Sequence, residues 1–118
     1  MEFRFDCVFY YVRNLERSIR FYRDVLGFRL VSRDAVARFA VDSVAFELVP
    51  AHSAEQLPGT GNARLCLRVA DVAATLRELQ SQAVSTREAQ EKGDGVLGVF
   101  EDPDGNELCL WQSKTTPH

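Results

Sequence analysis

Apolar and aromatic residues crowd the start of the chain, and the run from Phe3 to Val12 (FRFDCVFYYV) predicts a strand despite imperfect alternation. The period then changes. Asn14 offers a helix N-cap, and Leu15, Ile19, Tyr22 and Leu26 follow at i, i+4, i+7 and i+11, one apolar stripe of an amphipathic helix. Gly27 stands where a helix C-terminal stop belongs. Phe28 to Ser32, Ala37 to Val41 and Val44 to Val49 are short β-compatible runs separated by Arg-Asp and Asp-Ser turn signals. The first half therefore predicts β-α-β-β-β.

From Pro50 to Asn62 the composition shifts to Pro, Gly, Ser and polar residues (PAHSAEQLPGTGN), a surface connection between two halves. The order of elements then repeats. Leu65 to Val69 predicts a strand, Asp71 an N-cap, and Val72, Leu76 and Leu79 a second helical stripe. Val84 to Arg87, Val96 to Glu101 and Glu107 to Gln112 predict strands. The last two are joined by Asp102-Pro103-Asp104-Gly105-Asn106, a tight hairpin turn. Asp102, Asp104 and Asn106 resemble a calcium loop only superficially, because the remaining ligands are missing from the spacing. Val12-Arg13-Asn14-Leu15 aligns with Val69-Ala70-Asp71-Val72 at an offset of 57, and Phe46-Glu47-Leu48 with Leu108-Cys109-Leu110 at an offset of 62. Each half is too small to bury a full core alone, so the pattern predicts two packed modules. The boundaries are module one at 1–50, connection at 51–62, module two at 63–112 and tail at 113–118, within one domain of 118 residues.

Composition narrows the class. The chain is 46% hydrophobic and 26% charged, enough for a core and for solubility. Fourteen Lys and Arg against seventeen Asp and Glu give a formal charge of −3. That balance argues against nucleic acid and anionic membranes as partners. No apolar run approaches a membrane span, and the acidic N-terminus does not resemble a signal peptide. Three cysteines at long spacings form no secreted disulfide framework. A cytoplasmic protein is expected.

Strand alternation sorts side chains into faces. Val8, Tyr10 and Val12 oppose Phe5, Cys7, Phe9 and Tyr11. Leu65, Leu67 and Val69 oppose Arg64, Cys66 and Arg68. Leu108 and Leu110 oppose Glu107, Cys109 and Trp111, and Val44, Phe46 and Leu48 oppose Ala45, Glu47 and Val49. The aliphatic faces suit the helices. The second faces combine Phe, Trp, Cys, Glu and Arg, the make-up of a small-molecule site. Phe5, Phe9 and Trp111 are candidate stacking walls, with Cys66 and Arg68 beside them.

The segment from Val12 to Phe28 (VRNLERSIRFYRDVLGF) resembles the opening of the vicinal oxygen chelate superfamily, and Phe100 to Asn106 (FEDPDGN) resembles its closing hairpin. That superfamily includes glyoxalases, bleomycin-resistance proteins and extradiol dioxygenases. The resemblance implies an α+β fold of two tandem β-α-β-β-β modules forming a cupped mixed sheet around a cavity, with helices on the outer face. It also implies a homodimer. In metal-dependent members, four slots supply ligands to a divalent ion, and the motifs place them here at Cys7, Glu47, Arg64 and Cys109. Only Glu47 is of the usual ligand type. Arg64 has no lone pair to give, and His52 and His118 lie on the connection and at the chain end.

Three readings of these residues stand side by side. The first is metal-independent binding of a small organic ligand in an aromatic-lined cavity, as the resemblance to the bleomycin-resistance branch implies, with Arg64 facing an anionic or carbonyl group and Glu47 accepting. No cofactor is then expected. The second is a lyase or isomerase using Glu47 as base, or a divalent ion held by Cys7, Glu47 and Cys109. The third is a Glu47–Arg64 ion pair that only fills space once occupied by a metal. His52, with Glu55 and Gln56, could border the cavity, although a lone loop histidine is usually just solvated.

Overall fold

The computed structural model describes residues 1–2, 4–57 and 64–114. The chain divides into two compact units, Met1–Thr60 and Gly61–His118, with the boundary inside the expected connection.

In the first unit, β1 (Val8–Val12) leads to α1 (Leu15–Arg20), then β2 (Arg29–Arg33), β3 (Ala37–Val41) and β4 (Val44–Pro50). The sheet order is β1-β4-β3-β2, with β1 parallel to β4 and the other pairs antiparallel. In the second unit, β5 (Leu65–Arg68) leads to α2 (Val72–Ser81), then β6 (Gln90–Lys92), β7 (Gly95–Glu101) and β8 (Glu107–Ser113). Its order is β5-β8-β7-β6, again with one parallel pair, β5 with β8. The duplication extends to register. Val8 pairs with Phe46 in the first sheet and Leu65 with Leu108 in the second, the positions that the two sequence offsets relate. No helix among the described residues is long and apolar enough to cross a membrane.

Both helices begin as their caps dictate. The Asn14 side chain accepts a hydrogen bond from the Arg17 amide at 3.0 Å, and Asp71 accepts from the Ala74 amide at 3.0 Å. The α2 stripe is buried as expected, with Val72, Leu76 and Leu79 all inside. A further tie comes from β8, where the Gln112 side-chain oxygen accepts from the Val72 amide at 2.8 Å. The first helix departs from the simple stripe. After Arg20 it widens into a π-helical turn, Phe21–Val25, in which the Leu26 amide reaches back to the Phe21 carbonyl at 3.1 Å. The wider turn lets Phe21 and Tyr22 both become buried, while Leu15 and Leu26 stay half-buried. Gly27, at φ 77°, then ends the element.

Two expected strands are revised. The strand expected over Phe3–Val12 pairs only from Val8 onward, so Phe5 lies outside it and is 72% exposed. Phe3 lies outside the described residues. The strand expected over Val84–Arg87 is reduced to one bridge, Thr86 with Phe100, and the strand that pairs along β7 is Gln90–Lys92 instead. Its three polar side chains are all exposed, so no hydrophobic alternation marks it; charged residues on an edge strand discourage further pairing.

The core of each unit lies between its helix and one sheet face. In the first, Tyr22 sits among Phe28, Phe39 and Phe46 at ring-centroid distances of 5.8, 6.2 and 5.0 Å. In the second, Phe100, Leu108 and Leu110 meet the α2 stripe. The turn at Asp102–Asn106 is a hairpin turn as expected: the Asp102 carboxylate is used up inside it, and Gly105 takes φ 84°.

Candidate functional site

The faces turned away from the helices carry the mixed chemistry. In the first unit, one row crosses three strands: Phe9 on β1 is the Cα partner of Glu47 on β4, which is in turn the partner of Arg38 on β3. The Arg38 Nε and Nη2 atoms donate to the Glu47 Oε2 atom at 2.7 and 2.6 Å. That carboxylate is well covered, at 13% exposure, and its hydrogen bond and charge hold the Arg38 guanidinium above its usual range. The Phe9 ring, 46% exposed, meets Tyr11 edge-on at 5.3 Å. Cys7 precedes β1 on the same side. Burial pushes its thiol up, and the carboxylates of Glu47 and Asp6 push it further. A depression of about 340 Å³ adjoins this face, and Arg29, Arg38, Ala40 and Ala45 are among its lining residues.

In the second unit, Arg64 Nε donates to Glu107 Oε1 at 3.0 Å, and Arg87 Nη2 donates to the other carboxylate oxygen. One row further along, Cys66 on β5 is the Cα partner of Cys109 on β8. Burial raises both thiols above the ordinary cysteine range, and at Cys109 the neighbouring Cys66 adds to the rise. The next row sets Arg68 opposite Trp111, with Leu97 on the far side. Arg68 also lines a pocket of about 390 Å³ with Val69, Ala70 and Ser113.

Trp111 depends on a residue the sequence reading passed over. A Cβ built on Gly95 would lie 2.1 and 2.4 Å from Trp111 ring carbons and 2.7 Å from the Gln112 carbonyl. The indole therefore lies across bare backbone. Gly95→Ala is expected to displace the indole and shift Trp111 fluorescence; since Trp111 is the sole tryptophan, an unchanged emission spectrum would contradict this packing. The signal was available, because a glycine inside a strand often marks a close approach by another group.

Within the first unit Glu47 takes Arg38, and within the second Arg64 takes Glu107. Arg38 was legible in principle. Counting outward from the two-residue Asp42-Ser43 turn, where Val41 faces Val44, sets Arg38 opposite Glu47. Arg87 carried no such signal, since it reaches Glu107 from outside any strand. His52 is exposed on the connection, its backbone amide bound to the Gln56 side chain.

Of the four slots, Arg64 is a cation, Glu47 is engaged by Arg38, and Cys7 and Cys109 hold their protons more firmly than free cysteine. Within each unit, no three His, Cys, Asp or Glu side chains among the described residues are grouped to hold an ion.

Comparison with known proteins agrees with this architecture. Lactoylglutathione lyase of Haemophilus influenzae is 30% identical over 122 residues, covering 89% of each chain. Among solved structures, the antibiotic binding protein TnmS3 from a Streptomyces species is 26% identical with a TM-score of 0.70, covering 92% of this chain and 95% of its own. The fosfomycin resistance protein FosX of Mesorhizobium loti shares the fold at 16% identity and a TM-score of 0.74, covering 96% and 94%. The family model of the Glyoxalase/Bleomycin resistance protein/Dioxygenase superfamily matches residues 4–110, and with two β-α-β-β-β units in matching register the chain belongs to that superfamily.

Proposed function

We propose that this protein binds a small organic molecule without a metal ion. The observation that carries the reading is the Arg38–Glu47 pair: the one side chain of the usual ligand type in the metal slots is held by a guanidinium. A metal at Glu47 would have to break that pair, and one at Cys7 or at Cys109 would have to deprotonate a raised thiol. An organic ligand needs none of this. It needs an apolar face to stack on and a few fixed charges, and each unit carries such a face by itself: Phe9 and Tyr11 with Arg38 in the first, Trp111 with Arg64 and Arg68 in the second. The likeness to an antibiotic binding protein supports the same direction. A homodimer is part of the proposal.

Trp111 provides the test. We expect a member of a panel of planar aromatic antibiotics that do not themselves chelate zinc to change its fluorescence saturably, with the same midpoint in chelator and in added zinc. A change that appears only with zinc would overturn the proposal.

The similarity to a lactoylglutathione lyase favours a second reading, turnover of a glutathione thioester. It predicts that the protein, with a divalent metal supplied, forms or cleaves lactoylglutathione and that Glu47→Gln abolishes the activity. On the binding account the level of that thioester stays at background with metal as without it.

A further inference from the structure

The pairing of Cys66 with Cys109 bears on neither reading above and has chemistry of its own. The two are directly opposed on neighbouring parallel strands. Strands in a sheet lie about 4.8 Å apart, so directly opposed Cα atoms fall within the range a disulfide spans, about 4.4–6.8 Å. Both side chains also point the same way. Leu108 and Leu110 face the core, which sends Cys109 to the opposite face, and Cys66 alternates with Leu65 and Leu67 in the same manner. The charge of one thiol acts on the other. All three cysteines are free, and of this pair Cys66 is exposed while Cys109 is half-buried.

We propose that Cys66 and Cys109 form a reversible disulfide across β5 and β8, by exchange with a low-molecular-weight disulfide such as oxidised glutathione. The exposed Cys66 thiolate attacks one sulfur of the reagent and releases one thiol. The Cys109 thiolate then attacks the Cys66 sulfur of the mixed disulfide and releases the second. Two protein thiols are oxidised, one external disulfide is reduced, and the two protons leave on the released thiols. The bond would lie between the Arg64–Glu107 row and the Arg68–Trp111 row, so oxidation alters the middle of that face.

The intact protein is incubated with oxidised glutathione at about pH 8.5, where an ordinary thiol is half ionised. Remaining thiols are then capped with N-ethylmaleimide and the protein is mapped by mass. The expected result is a Cys66–Cys109 linked peptide with Cys7 still capped, a fall in Trp111 fluorescence, and recovery of both thiols and emission with dithiothreitol. Cys109→Ser should instead retain one glutathione on Cys66, since the resolving thiol is gone. A mixed disulfide that persists on Cys66 in the unaltered protein would overturn the proposal. So would a bond involving Cys7, or full capping of both thiols.

Discussion

Phe46→Ala is expected to lower stability by about 3–5 kcal/mol and the melting temperature by about 10 °C or more. Phe46 is fully buried on β4, between Val8 and Phe39 in register. Its ring meets those of Tyr10, Tyr22, Phe28 and Phe39 at centroid distances of 5.6, 5.0, 5.9 and 6.3 Å. Truncation opens a cavity at the point where the helix, the parallel strand and the antiparallel strand share one packing layer. Tyr10 and Phe28, which meet it edge-on, cannot collapse inward without leaving that geometry. Phe9→Ala is the internal comparison. That ring is 46% exposed on the opposite face of the same sheet, and its loss is expected to cost less than about 1 kcal/mol. Thermal unfolding followed by far-ultraviolet circular dichroism separates the two, and equal losses would contradict the assignment of faces.

The second large effect belongs to the turn between β7 and β8. Asp102, 5% exposed, accepts from the Asp104 amide at 2.9 Å, the Asn106 amide at 2.8 Å and the Asn106 side-chain amide at 3.0 Å. Asn106 is itself 2% exposed, so the donors left behind by Asp102→Ala cannot all turn to water. The expected cost is about 3 kcal/mol or more, because orphaned buried donors lose their hydration without return. Asp102→Asn keeps one acceptor oxygen and should cost less. Chemical denaturation gives the order directly, and equal stability of the two variants would refute the hub. Because β8 carries Glu107, Cys109 and Trp111, a loosened turn should also blur the second candidate face.

Most of the fold was legible because it rests on local signals. Asn14 and Asp71 start their helices, Gly27 stops one, and alternation at Phe46-Glu47-Leu48 and Leu108-Cys109-Leu110 separates core from site. The internal repeat did more than suggest duplication, since its two offsets relate the observed strand registers. What stayed hidden depends on groups meeting from afar. The π-helical turn at Phe21–Val25 follows from the need to bury two adjacent rings, and β6 forms from Gln-Glu-Lys because β7 offers it an edge. Register sets Arg38 opposite Glu47, which the two-residue turn makes countable, whereas Arg87 reaches Glu107 from outside any strand.

The central claim is that the protein binds its ligand without a metal, and a native mass spectrum of the protein as purified, with neither metal nor chelator added, tests it most directly. The account predicts a dimer with no stoichiometric divalent ion, with or without a retained organic molecule. One tightly held divalent ion per chain or per chain pair would contradict it, and would require Glu47 to have left Arg38.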